Sequence, residues 1–161
     1  MSYTLRGLVT DVINVIDDPM DCLSPFGISI YPDGTRYEWS KKDFDFMKSF
    51  VEKNVKVHLQ SVWMDLKKIR DIGVYESWMP AVILVAEETI KKLKSSIEEG
   101  IQVRYNGGQG SDSGLIDKAK IMADVPACVR HQCWEYLAEV FSVVVEDIEV
   151  VTRFLSRHES T

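Results

Sequence analysis

Long hydrophobic runs are missing from this sequence: the longest apolar stretch, at residues 79–86, is far shorter than the roughly 20 residues that a membrane-spanning helix needs. The N-terminus has no apolar stretch followed by a small-residue cleavage site, so we expect no secretory signal peptide. The three cysteines are an odd number without the paired spacing of a secreted disulfide scaffold. These absences predict a cytoplasmic protein with no membrane partner.

A basic excess is also missing, since 25 acidic residues outnumber 19 basic ones and give a net charge of −6. Proteins that bind nucleic acid through its phosphates usually carry a basic excess, so nucleic acid is an unexpected partner. Two local groups of cations, at residues 67–70 and 91–94, are interpreted as solvated helix faces. An acidic protein suits a basic protein partner, although charge alone does not identify one.

Repeats, low-complexity tracts and Pro- or Ser-rich linkers are absent as well. A chain of 161 residues has the ordinary size of one domain, and its composition is that of a globular protein. We therefore predict a single globular domain over residues 1–161, with the polar residues 157–161 as a frayed tail.

The first forty residues predict one ambiguous element and one hairpin. Residues 3–17 place apolar side chains at helical spacing, but the run is rich in β-branched residues and contains Gly7, so a strand remains an alternative. Residues 27–39 alternate on both sides of Pro32-Asp33-Gly34, which is typical turn chemistry. This stretch predicts a β-hairpin.

Helix boundaries are visible at three later residues. Ser40 is followed by Asp43 in a variant of the capping box, which predicts a helix start, and Asn54 is its expected end. Gly73 follows a second run with helical spacing at the position where a left-handed residue often ends a helix.

Three short apolar runs predict strands. Residues 55–59 and 101–105 alternate apolar with polar side chains, and residues 81–86 are continuously apolar, which favours a buried strand over a buried helix start. Together with the hairpin, these runs predict an α+β fold, in which a small mixed sheet of about four to six strands has helices packed on one face.

The C-terminal segment has the most regular pattern in the chain. Apolar residues recur there in alternating steps of three and four: Trp134, Leu137, Phe141, Val144, Ile148, Val151 and Leu155. This spacing predicts a long amphipathic helix over residues 126–156, or two helices broken near Ser142–Val145. We favour a helix that packs across its own domain, and a homodimeric structural protein built on this helix is the alternative.

No catalytic or metal-binding constellation stands out. Cys128, His131 and Cys133 lie close together in sequence, but on a helix Cys133 projects away from Cys128, so the three cannot converge on one ion. We expect no catalytic residues, no metal and no cofactor, and an enzyme is less expected than a binding protein.

A glycine-rich stretch at residues 106–114 could expose backbone N–H groups to a phosphate. Its spacing matches neither common nucleotide fingerprint, and an acidic side chain within it would repel an anion. The stretch predicts, as an alternative function, a small-molecule or nucleotide-binding protein. The residues of this ligand loop would be Gly107, Gly108, Gly110, Ser111 and Asp112.

An aromatic segment provides the leading functional hypothesis. Aromatic residues and methionine are enriched in protein interfaces, and one segment without clear periodicity combines both. Its candidate anchors are Tyr75, Glu76, Trp78 and Met79. Small size, acidic charge and abundant aromatics predict a cytosolic protein-binding module that occludes a partner, in the manner of an immunity- or antitoxin-like inhibitor.

Overall fold

The computed structural model describes residues 4–21, 27–30, 33–105 and 125–159, apart from the side chains of residues 102–105 and 159. Its elements are α1 (Leu5–Asp17), a 3₁₀ turn (Pro19–Asp21), β1 (Ile28–Ile30), β2 (Arg36–Glu38), α2 (Lys41–Ile72), α3 (Met79–Tyr105) and α4 (Ala127–Glu159). The described residues are therefore mostly helical.

The predicted α+β fold with a sheet of four to six strands is wrong. In the part of the chain that is described, the only sheet is the antiparallel pair β1–β2, in which Ser29 lies opposite Tyr37. The expected strands at residues 55–59, 81–86 and 101–105 are segments of α2 and α3.

The runs were misassigned because short patterns fit two periods. Val55 and Leu59 are fully buried four residues apart, as a helix face requires, whereas Val57 between them is 55% exposed. In the apolar run of α3, Ile83 and Ala86 are buried three residues apart, which is again helical spacing. Five or six residues cannot separate these periods.

The local boundary signals are confirmed at both ends of α2. The backbone N–H of Ser40 donates to Asp43 Oδ2 (2.8 Å), while the Ser40 hydroxyl accepts from the backbone N–H of Asp43, which completes the capping box. Gly73 ends the helix in the left-handed region at φ 74°. Asn54 does not end it, because its buried side-chain amide donates to the carbonyl of Phe50 (2.9 Å) inside the helix.

The apolar pattern of residues 3–17 corresponds to a helix, α1, which begins at Leu5. The side chain of Thr4 caps this helix by accepting a hydrogen bond from the backbone N–H of Gly7 (3.0 Å). At the other end of the chain, α4 is one unbroken helix through Val143–Val145. It continues to Glu159, so residues 157–159, which we expected to fray, are helical.

The four helices pack around one core. α1 lies against α2 and α4, and α3 lies along α4. Arg6 Nε donates to the carbonyl of Arg70 (3.1 Å), which pairs the start of α1 with the end of α2. Lys94 donates to Ser142 and Thr152 donates to Glu87, so α3 and α4 run antiparallel.

This packing buries the apolar stripe of α4. Its seven residues from Trp134 to Leu155 are at most 1% exposed. The stripe therefore forms the core of its own chain, as favoured from the sequence, and is not available for the homodimer that was its alternative.

The hairpin closes one end of the helices. The indole N–H of Trp39 donates to the Ser29 hydroxyl (2.7 Å), and that hydroxyl donates to Gln132 of α4. The Tyr37 hydroxyl donates to the carboxylate of Asp43 in α2. These bonds link the beginnings of α2 and α4 through the hairpin.

Candidate protein-binding surface

Exposed apolar side chains are concentrated where α2 ends and α3 begins. Five large hydrophobic residues between positions 72 and 85 are each 40–63% exposed: Ile72, Val74, Trp78, Leu84 and Val85. We call them the corner patch. Single exposed apolar residues are ordinary, but five on the end of one helix, the following loop and the first turns of the next make this segment the candidate for an interaction surface.

The first turns of α3 explain why this surface is apolar. Met79, Ile83, Ala86 and Ile90 recur at helical spacing and form its buried face. The apolar run of residues 81–86 is continuous, whereas a buried face takes only every third or fourth residue. Leu84 and Val85 therefore project outside the core because successive side chains rotate by about 100° around a helix.

Trp78 and Val85 flank the first turns of α3. Trp78 stands directly before the helix, and Val85 lies in its second turn. The carbonyl of Trp78 accepts the backbone N–H of Val82 (3.4 Å), so Trp78 is held at the start of the helix.

The four anchors predicted from the sequence divide into two pairs. Glu76 and Trp78 are exposed. Met79 is fully buried in the core, and the partly buried Tyr75 ring stacks on His158 of α4 at a centroid distance of 5.8 Å. Tyr75 and Met79 thus anchor the segment between α2 and α3 to the rest of the protein, and Glu76 and Trp78 are exposed to solvent.

The sequence analysis missed four residues of the patch: Ile72, Val74, Leu84 and Val85. The signal for the last two was present in the helical spacing of Met79, Ile83 and Ile90, which assigns residues 84 and 85 to the outside. It was hidden by the interpretation of residues 81–86 as a buried strand.

The charges that flank the corner patch are of both signs, because the guanidinium of Arg6 lies against Gly73 and two glutamates stand near the exposed apolar residues. Glu76 and Glu88 are exposed, and neither forms a salt bridge within the described residues. Arg70 pairs with its neighbour Asp71 (3.4 Å). Lys92 is exposed one helical turn beyond Glu88, further from the patch.

Two of the cations that might have formed a basic surface make contacts within the chain. Lys91 bridges Glu87 (3.0 Å) and Glu149 (3.5 Å), and its hydrogen bond with Glu87 raises its pKa. The Lys67 ammonium lies 4.1 Å from the centre of the Trp63 ring, a cation–π contact. The cation groups of residues 67–70 and 91–94 are thus partly neutralised.

The remaining predicted sites are placed as follows. The ligand loop of residues 106–114 lies outside the described residues. Cys128 and Cys133 lie on α4, and His131 pairs through Nε2 with Glu135 (2.7 Å). Among the described residues there is no group of three or more His, Cys, Asp or Glu side chains arranged to hold a metal ion.

The helices and the sequence were also compared with what is known of membrane spans and of other proteins. Of the helices described, none combines the length and apolar character that crossing a bilayer requires. Searches against protein-family models, curated proteins and solved structures gave no match to this chain.

Proposed function

We propose that this protein is a small acidic module that binds another protein through the corner patch and acts by occluding the surface it covers, as an immunity- or antitoxin-like inhibitor does. The observation that carries the proposal is the exposure of Trp78, directly before α3, together with that of Leu84 and Val85 in the first turns of the helix. Aromatic anchors with aliphatic neighbours form the centre of typical interfaces, and polar residues form the rim.

Two glutamates near the patch and the net charge of the protein favour a basic partner. Glu76 and Glu88 are acidic groups without an ion pair in the described chain, and the whole protein carries a net charge of −6. Complementary charge at an interface rim accelerates association and weakens with salt. The partner we propose therefore presents an apolar surface bordered by lysine or arginine.

A cytoplasmic location is part of the proposal. Cys128 is a free thiol and is partly exposed on α4. Thiols of this kind are typical of reducing compartments, where disulfides rarely persist.

The test begins with a photo-crosslinking amino acid at residue 85 and, as a matched control, at Val150, which is exposed on α4. The expected result is one protein captured from residue 85 and not from residue 150. With that protein purified, Val85→Asp should weaken binding roughly thirtyfold or more, as removal of an interface hot spot does. Val150→Asp should leave the affinity unchanged.

Three outcomes would contradict the proposal. Capture of the same proteins from residues 85 and 150 would show that the patch is not selective. Equal binding by Val85→Asp would show that the patch is not the interface. A cross-linked product containing two copies of this chain would show self-association in place of occlusion of a different protein.

A further inference from the structure

A cavity of about 320 Å³ lies between the end of α1 and the middle of α2. Its described lining consists of Ile16, Asp17, Lys56, Val57, Gln60 and Trp63. Gln60 and Ile72 are twelve residues apart on α2, so the cavity is roughly 18 Å along the helix from the corner patch. It is therefore a separate site, and nothing in the proposed function uses it.

The body of the cavity is apolar. Ile16 is 3% exposed and belongs to the core, Trp63 is partly buried, and Val57 is exposed beside it. Small-molecule sites generally combine such apolar walls with a few polar groups, over volumes of roughly 300–1,000 Å³. The volume here is at the lower end of that range and suits a ligand of one ring or one branched side chain.

The polar groups of the lining carry opposite charges. Asp17 and Lys56 are both exposed, and within the described residues neither forms a salt bridge, either with the other or with a third group. Gln60 supplies an amide that can both donate and accept. The cavity thus offers one carboxylate and one ammonium, neither neutralised by an ion pair.

The position of Asp17 strengthens the negative side of the cavity. It is the last residue of α1, and the last turn of that helix contains no basic residue. The exposed carbonyl ends of a helix carry a partial negative charge that favours a cation. A ligand ammonium at this point would meet both the carboxylate and the helix end.

We propose that the cavity binds a small zwitterion with an apolar side chain, namely a free aromatic or large aliphatic α-amino acid. The ligand ammonium pairs with Asp17 and its carboxylate pairs with Lys56. Its side chain packs on Ile16 and Trp63. Binding is weak to moderate, because both charged protein groups are exposed and each such pair contributes little.

The experiment uses L-phenylalanine as the probe, with isothermal titration calorimetry and the indole N–H resonance of Trp63, assigned by its loss in Trp63→Phe. Saturable binding with a shift of that resonance is expected. Asp17→Asn and Lys56→Gln should each weaken binding roughly three- to tenfold. The control variants are Asp18→Asn, next to Asp17 in the sequence, and Lys53→Gln, about one helical turn before Lys56. Neither residue belongs to the described lining, so both variants should bind L-phenylalanine as wild type does.

Two truncated probes test the zwitterion itself. 3-Phenylpropionate lacks the ammonium and should lose its dependence on Asp17, whereas phenethylamine lacks the carboxylate and should lose its dependence on Lys56. Both should bind more weakly than L-phenylalanine. The proposal is overturned if L-phenylalanine shows no saturable binding at millimolar concentration, if 3-phenylpropionate binds as tightly, or if Lys53→Gln weakens binding as much as Lys56→Gln.

Discussion

The hydroxyl of Tyr37 in β2 donates a hydrogen bond to the carboxylate of Asp43 in α2 at 2.8 Å. The same carboxylate accepts the backbone N–H and the hydroxyl of Ser40, and Asp43 is only 1% exposed. One buried side chain therefore completes the capping box of α2 and fastens the hairpin to the helix. The corner patch begins at the other end of the same helix, at Ile72.

Replacement of Asp43 by alanine should destabilise the protein by about 2 kcal/mol or more. The change removes a helix cap, which typically contributes about 1 kcal/mol, and leaves three buried or half-buried donors without their acceptor. Urea unfolding monitored by circular dichroism measures the difference. Asp45→Ala, at an exposed position of the same helix, is the control, and its effect should stay within about 0.5 kcal/mol. Equal effects of the two substitutions would contradict this assignment.

Substitution of Gly73 by alanine should cost about 1 kcal/mol or more. Gly73 has a φ of 74°, which disfavours any residue with a Cβ, and an added Cβ would collide with the guanidinium of Arg6. Gly27→Ala is the matched control, since a Cβ there would meet nothing within 4 Å and its φ is not positive. Thermal unfolding of the two variants should separate them. A Gly73→Ala protein as stable as Gly27→Ala would show that the turn tolerates a side chain.

Some structural features of this protein could be predicted from its sequence because they depend on neighbouring residues or on a long regular pattern. Ser40, Asp43 and Gly73 act through their immediate neighbours in the chain, so their roles were visible in short motifs. The stripe of α4 was visible for a different reason: seven positions over three heptads exclude any period but the helical one. Signals of these two kinds predicted the hairpin, the residues that bound α2, and α4 as far as residue 156.

The sequence predictions were wrong where tertiary packing determines which side chains are buried. Asn54 was expected to end a helix, yet the folded chain buries its amide with a hydrogen-bond partner. The corner patch depended on where α3 begins. With a strand at residues 81–86, Leu84 and Val85 belong to the core; with a helix from Met79, they belong to the surface.

Replacement of Asp147 by asparagine should stabilise the protein at neutral pH. Burial raises the pKa of the Asp147 carboxyl, and the nearby charges of Asp11 and Glu146 raise it further. The charged form is therefore disfavoured in the folded protein, and the stability that the protonated form provides is lost as pH rises from the ordinary value of 3.8 through the raised pKa. The gain from Asp147→Asn should be largest near pH 7 and should shrink as the pH approaches 3.8.

Chemical unfolding at a series of pH values provides the measurement for Asp147, with Glu139→Gln as a control on the same helix. Glu139 is exposed, so its replacement should give no comparable gain. A gain from Asp147→Asn that is constant with pH, or that is absent at pH 7, would contradict the assignment.

His58 should make the protein less stable in mild acid. Its Nε2 atom is buried and finds no hydrogen-bond partner among the described residues, and burial lowers the pKa of the imidazole below its ordinary value of about 6.5. For a base with a lowered pKa, the stabilising contribution is complete above the ordinary pKa and is lost as pH falls through the folded pKa. Wild-type protein should therefore lose stability relative to His58→Leu as the pH falls below about 6.5.

The comparison of wild type with His58→Leu also tests whether the buried Nε2 atom without a hydrogen-bond partner destabilises the protein. Because leucine needs no hydrogen bond, His58→Leu should be at least as stable as wild type at neutral pH, provided that the side chain fits. Ser61→Ala, an exposed change on the same helix without an ionisable group, should follow the wild-type pH profile. NMR titration of the His58 ring gives the decisive reading, since a midpoint at or above about 6.5 would show that the imidazole is not destabilised by burial.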